Sequence, residues 1–532
     1  MHRRACLCCL LALAGCGQAP APVQDAPLAL PTAIADGSVV KLRCGKTYRG
    51  TLDLRGKSHV SVSTEGGCGK AGISPGGPVS GWTRHRGRIW VAPVGYAPIQ
   101  LALSGVPVTR AHWPNRGWAR AGIAALGNPP PAGDLAGATL VWLENQSVVK
   151  AAVLRANRID TDKPYYVEGK LWMLDSADEW AYQDGRLYVW SADGRSPEGR
   201  AWAAPDADGI AADRSHGVTL DGLRVFAAAR GISAEGADRL SVLRTDIADT
   251  EGAGIWASNS RALRVDGSSV KNARSSGIDG WYWISGATVS DTTVEGTGMR
   301  GQPSPTGAAI FFGDGADNRI VNTRVRGSAY HGISVLHNRA SAVLDSLVDG
   351  ACARLTDCGG IYTGARDRRP LALRIEGNTV VNVGGSEGIG IYLDDFANGV
   401  TVRRNTLRHN TLGMLVHNGF DNLIAANAFA ANSQVHLAFN QDSGAIRNNR
   451  VTGNAFTSSG AEWTYRLEAG PNLKTFASFD ANVYAAANAR RFARTWDGRS
   501  DGVSHDYRAW KAWSGQDARS SMGDAAAFAA TR

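Results

Sequence analysis

Residues 390–405 read GIYLDDFANGVTVRRN, a strand-like run that closes on two adjacent aspartates, Asp394 and Asp395. Poor β-propensity and carboxylate repulsion both oppose such an ending, so the pair calls for a reason. More acids, imidazoles and phenols stand nearby: Asp314, His331, His337, Asp357, Tyr362, Arg366, Glu387, Tyr392 and His417. Two carboxylates facing each other can cleave a glycosidic bond, one donating a proton to the leaving oxygen while the other, ionised, activates water or attacks the sugar. Crowding of Asp394 against Asp395 or Glu387 would raise one pKa and let that group serve as the acid. The candidate catalytic residues are therefore Asp357, Asp394 and Asp395. Asp314, His331, His337, Tyr362, Arg366, Glu387, Tyr392 and His417 are candidate substrate contacts. Taken singly, an acid or imidazole among these reads as a solvated turn acid or a satisfied histidine.

What sets them apart is a repeat. Gly or Ala followed by an aliphatic residue and a short strand recurs at Ile232, Ile255, Ile278, Ile310, Ile333, Ile361, Ile391, Met414 and Leu437, with spacings of 23, 23, 32, 23, 28, 30, 23 and 23. That period is the signature of a parallel β-solenoid and predicts an all-β fold of ten or more coils. The residue two after each anchor points inward with it, so positions one and three after the anchor face outward. Coils stack about 4.8 Å apart, so equivalent outward positions form columns. Asp314, His337 and Asp395 stand four after their anchors, and Asp394 and His417 three after. Stability alone does not call for such a line of acids and imidazoles, and it reads as a binding groove. Asn410, Asn432 and Asn454, each 22 apart, are expected to stack at a corner of the coils.

The rhythm also sets the domains. Residues 38–79 form the first coils, 80–205 an inserted β-rich domain, 206–456 the main solenoid and 457–532 a cap. The insertion carries nine of the 16 tryptophans, read as core rather than sugar platforms. A chain of 532 residues, 43% hydrophobic and with 64 glycines, has ample material for such a core. No apolar run after residue 20 is long enough to cross a membrane. Residues 1–15 read as a signal peptide, with Arg3 and Arg4 ahead of an apolar stretch. Without them, 55 basic residues face 48 acidic ones, a mild bias that fits an acidic polysaccharide; no cluster of Lys and Arg points to nucleic acid. Residues 16–37 read as a tether. Cys44 with Cys68, and Cys352 with Cys358, form two sequence-local pairs that suggest disulfides in an exported chain. Metal binding by these cysteines lacks a CxxC or clustered histidines, and no metal or cofactor is expected.

Leu13-Ala14-Gly15-Cys16 resembles the lipobox of bacterial lipoproteins. That implies cleavage before Cys16, lipidation of its thiol and anchoring to the outer membrane; a plain secretory signal is the alternative. KLRCGKTYRGTLDL, GRIWVA, LALSGVPVTRAHWPN, CGGIYT, GIYLDD and YRAWKAWSGQDARS resemble right-handed β-helix enzymes of polysaccharide degradation, most closely glycoside hydrolase family 141 and its relatives. The resemblance implies catalytic carboxylates at Asp357 and at Asp394 or Asp395, with Cys358 between Asp357 and the glycines as a departure. A straight strand would hold Asp357 and Asp394 roughly 20 Å apart, so only a bend at Gly359 and Gly360 brings them together. Asp357 beneath Glu387 is a second possible pair. The expectation is a monomeric glycoside hydrolase acting on a polysaccharide. Its rivals are a uronate lyase or C5-epimerase and a non-catalytic carbohydrate-binding lipoprotein.

Overall fold

The computed structural model describes residues 26–120, 134–145, 148–299, 308–444, 446–498 and 501–523. The expected signal peptide and Cys16 lie outside the described residues. Three sheets of 15, 14 and 13 strands, almost wholly parallel, wrap one continuous apolar core. Each coil gives one short strand to each sheet. Gly388–Asp394, Thr401–Arg403 and Thr406–Arg408 pair in turn with Leu412–His417, Leu423–Ala425 and Ala428–Ala430 of the next coil.

The anchors fall into register as partners, Ile232 on Ile255 on Ile278 on Ile310, and on through Ile333, Ile361, Ile391, Met414 and Leu437. Every one is fully buried, which contributes about 2–3 kcal/mol per side chain. The small residue ahead of each anchor has a steric cause. A Cβ on Gly360 would lie 2.8 Å from the Gly390 carbonyl oxygen and 2.5 Å from Val380 Cγ1.

Asparagines stack as expected, but in a different register. Asn410 accepts from the Val383 backbone and donates its own N–H to Asn432. Asn454 belongs to a second ladder, Asn378–Asn405–Asn427–Asn454–Asn482. The 22-residue match between Asn432 and Asn454 is a coincidence: the coil that leads to Asn454 is longer, so its true partner Asn427 lies 27 residues back.

The insertion leaves after the strand Ala71–Ser74 and returns so that Leu223 to Val225 pair with Ala71 to Ile73, and Leu220 with Val62. Consecutive coils thus stack across it. It folds into a mostly antiparallel 8-stranded sheet and a 4-stranded one, and all nine of its tryptophans pack in or against apolar clusters. Among its contacts with the solenoid are two with the coils that follow. Tyr166 and Val141 pack with Leu355, and Glu168 pairs with Arg274 at 3.1 Å.

Three boundaries differ from expectation. Gly77–Pro78, placed in the first coils, pairs with Ala203 and Trp202 in the insertion's 8-stranded sheet. Leu28–Ala29, placed in the tether, pairs in parallel with Tyr48 and Arg49. Parallel rungs continue past 456 through Trp463–Glu468 to Ala493–Thr495. The repeat fades there because Thr464 and the aromatic Tyr465 replace the Gly–aliphatic signature. Beyond it the helix Tyr507–Ser514, capped by Asp506, buries Trp510 against Tyr465, Phe479 and Phe492 and covers the last rungs.

Candidate active site

The site lies on the 14-stranded sheet, where Cys358–Gly364, Gly388–Asp394 and Leu412–His417 are neighbours. Their register skips the Gly360, Gly390 and Gly413 positions, and the alternation of faces changes there. Ile389 and Leu412, which lie two residues before their anchors, join Tyr392 and Leu415 in an apolar cluster outside the main core. This is the bend that the separation of Asp357 and Asp394 demanded. It turns Asp357 and Glu387, side by side in register through Cys358 and Gly388, toward the face that carries Tyr392 and Asp394.

A cavity of about 470 Å³ results. Its floor is Ile389, Tyr392, Leu412 and Leu415; its polar groups are Asp357, Ser386, Glu387, His417, Gln434, Asn440 and Arg466. The outward positions are not solvated here: Tyr392 is 5% and Asp394 8% exposed. At that depth a carboxylate needs partners.

Asp394 has them. His417 Nδ1 lies 2.6 Å from its Oδ1, the Tyr362 hydroxyl donates to Oδ2 at 3.0 Å, and the Asp395 backbone N–H donates at 2.8 Å. Burial pushes its pKa up, but the imidazolium and these donors outweigh burial and hold it below the usual carboxylate range. His417 moves the other way. Burial opposes its charge, yet Asp394 on one ring nitrogen and Asp442, 3.1 Å from the other, push it up to about 9.

Asp357 is the opposite case. Burial raises its pKa first, and the Asp394 charge adds to that; a hydrogen bond from the Tyr392 hydroxyl, 3.3 Å from Oδ1, pulls modestly back. The Tyr392 hydroxyl bonds Asp357, and the charges of both Asp394 and Asp357 add to burial in raising its own pKa. Asp357 lines the cavity, whereas Asp394 lies behind its lining, next to His417 and Tyr362; the pKa of the first is pushed up and that of the second down.

The loop that presents Asp357 is braced on every side. Asp357 adopts a left-handed φ of 51°, its carbonyl accepts from the Tyr330 hydroxyl at 3.1 Å, and the buried Cys352–Cys358 disulfide closes the loop beside it. His331, expected to touch substrate, is instead 3% exposed. Its Nδ1 accepts the Gly359 N–H at 3.1 Å, and its ring stacks on Tyr362 with centroids 4.1 Å apart. Burial drives its pKa down to about 3, so the ring is neutral and positions the bend.

Asp395 and Asp394 part company. Asp395 is bound by Arg366 Nε at 2.6 Å and does not line the cavity. Asp314 and His337 form a 3.0 Å pair farther along the same face, where the Arg366 N–H reaches His337 Nε2 at 3.4 Å. Among the described residues, Asp394, Asp395 and His417 bring three potential metal-ligand atoms within 4.8 Å. Here His417 and Arg366 already occupy those oxygens. The expected Cys44–Cys68 disulfide is present, remote from the cavity.

Sequence reasoning missed Asp442 and Arg466. Asp442 sits on the extra residues of the lengthened coil and is held by Asn418 at 2.8 Å. The 28-residue step from Leu437 to Tyr465 was the available signal. Arg466 is one after an aromatic anchor that the aliphatic pattern does not register.

The family profile described as right handed beta helix region matches residues 203–348 and 304–470. A solved structure named as a glycoside hydrolase superposes with a TM-score of 0.58 at 14% identity, covering 72% of this chain and 87% of its own. The A-module of the Azotobacter vinelandii mannuronan C-5 epimerase AlgE6 gives 0.36 at 14% identity, covering 60% and 83%. No curated protein sequence matches this chain.

Proposed function

The chain belongs to the right-handed β-helix family, and on that premise we propose that it is a glycoside hydrolase that cleaves a polysaccharide with Asp357 as general acid and Asp394 as its ionised partner. The observation that carries this reading is the divergence of two neighbouring carboxylates, each bonded by a tyrosine: Asp357, held by Tyr392, is raised by burial and by its neighbour's charge, and Asp394, held by Tyr362, is lowered by His417. Asp357 would give its proton to the glycosidic oxygen as the bond breaks. Asp394 would take a proton from the water that attacks the anomeric carbon, or attack that carbon itself and be displaced by water, so that the water's hydroxyl ends on the sugar; its charge keeps Asp357 protonated. The apolar floor lowers the local dielectric and strengthens both interactions. A fold shared with a glycoside hydrolase at 14% identity is compatible with this assignment without supplying it.

A second reading rests on the cations. His417 and Arg466 both line the cavity and could hold a uronate carboxylate, as a lyase or epimerase requires. Product chemistry separates the two. Hydrolysis releases reducing ends without ultraviolet absorbance, whereas elimination creates an unsaturated, absorbing sugar; absorbing ends would sink the hydrolase reading. The disulfides support an exported location, and lipid anchoring at Cys16 is part of the same proposal. Labelling with a radioactive fatty acid, lost in Cys16→Ala, tests the anchor.

A further inference from the structure

Tyr282 and Trp283 are 52% and 68% exposed, and the solenoid gives no packing reason for them. They also sit in consecutive left-handed conformations, with φ of 59° and 54°. Left-handed residues recur at the turns of the coils, and this turn carries two large aromatic rings held out from the surface. Trp281 beside them stacks on Phe311 of the next rung, centroids 4.7 Å apart and planes 19° apart, and Tyr282 packs edge-on to Trp281 at 5.5 Å.

Their place relative to the cavity is fixed by register. Ile278 partners Ile310, then Ile333, Ile361 and Ile391. Trp281 follows its anchor by three residues, as Asp394 follows Ile391, so it lies on the same face, four rungs or about 19 Å from Asp394. The rungs between are bridged by a polar seam: Asp314 pairs with His337, His337 meets the Arg366 N–H, and Arg366 binds Asp395 beside Asp394.

We propose that Trp281, Tyr282, Trp283 and Phe311 form a distal platform that holds a sugar chain extending along the sheet from the cavity. The proposal rests on the polysaccharide reading above and deepens it: the substrate is a polymer long enough to span four rungs, gripped well away from the bond that breaks. Sugar rings present apolar C–H faces to aromatic rings and hydroxyls to the flanking polar groups, the mixed character that this face offers. Continuity of the seam with the cavity singles out a glycan as the occupant over a protein partner or a second copy of the chain.

Native affinity electrophoresis tests this without any need for turnover. Protein carrying Asp357→Asn is run through gels containing arabinoxylan, homogalacturonan, alginate or chondroitin sulfate, and compared with the same protein carrying Tyr282→Ala and Trp283→Ala as well. The expected result is retardation by at least one polymer, weakened about tenfold or more by the two alanines. Trp283→Phe, which keeps a ring, should restore most of it, and equal thermal midpoints would show that the fold is intact. Unchanged retardation in the alanine variant, no retardation by any of the four polymers, or loss of self-association on removing the aromatics would each overturn the platform. The hydrolase reading fails separately. Aromatic-dependent retardation without any release of reducing ends by the wild type would remove the hydrolase and leave the platform; turnover with unchanged retardation would do the reverse.

Discussion

The Tyr392 hydroxyl lies 3.3 Å from the Asp357 carboxylate, although 35 residues separate them in the chain. Asp357 stands four residues before its anchor and Tyr392 one residue after the next. Without the change of face at Gly360 and Gly390, strand geometry would point them apart. The contact therefore joins a fold-level feature, the small residue before each anchor, to a chemical one, a carboxyl group held near a phenol and a second carboxylate.

Asp357→Asn should lower turnover of polymer by about 10²–10⁴-fold, the usual contribution of a general acid, and leave the thermal midpoint close to wild type. Steady-state rates and a melting curve on the same sample check both halves. The rate of the wild type should fall on the acid side as Asp394 takes up a proton and on the alkaline side as Asp357 loses one. The optimum then lies between a carboxyl held below its usual range and one raised above it.

The His417–Asp394 pair predicts a pH-dependent stability. His417 is raised from 6.5 to about 9 in the folded state, so its contribution is complete below pH 6.5 and is lost as pH climbs through about 9. The lowered Asp394 sets the other limit, its contribution fading as pH falls through its folded pKa. Unfolding free energies from urea titrations between pH 6 and 10 should decline by on the order of 2–3 kcal/mol more in wild type than in His417→Asn.

Within the asparagine ladder, Asn427 accepts from the backbone N–H and the amide of Asn405 and donates to Val402 O and Asn454 Oδ1. Asn427→Ala leaves a buried N–H without its acceptor and should cost about 1–3 kcal/mol in denaturant titration. Asn454→Ala should cost a similar amount for the same reason, since it is equally buried in the same ladder.

The Cys352–Cys358 bond closes a loop of sequence separation 6, worth about 2 kcal/mol by chain entropy. Its position next to Asp357 predicts a second effect. The double variant Cys352→Ser/Cys358→Ser should lose turnover out of proportion to its loss of stability, read as rate against melting temperature. A proportional loss would make the disulfide a brace for the fold alone.

Much of this architecture was legible because a solenoid writes its geometry into spacing. The anchors Ile232 to Leu437 recur at spacings that by themselves put Asp394, Asp395 and His417 on neighbouring rungs. What spacing does not carry is depth. Asp394 and Tyr392 face outward from the main core, as alternation requires, yet both are buried, because Ile389, Leu412 and Val435 build a second apolar layer where the strands bend. The same bend explains why His331 sits beneath the site instead of in it. Coils of unequal length misled the ladder at Asn454 and hid Asp442, since a fixed period cannot show where extra residues loop out. The rungs beyond 456 were lost when aromatic Tyr465 took over from aliphatic anchors.

The most direct test of the central claim uses a substrate whose leaving group needs no proton, an aryl glycoside of the released sugar with a strongly acidic phenol. Asp357→Asn should be severely impaired on the polymer and recover most of its rate on the aryl glycoside, while Asp394→Asn stays impaired on both. Equal impairment of the two variants on the activated substrate, or recovery by Asp394→Asn instead, would contradict the assignment of Asp357 as the acid and Asp394 as its ionised partner.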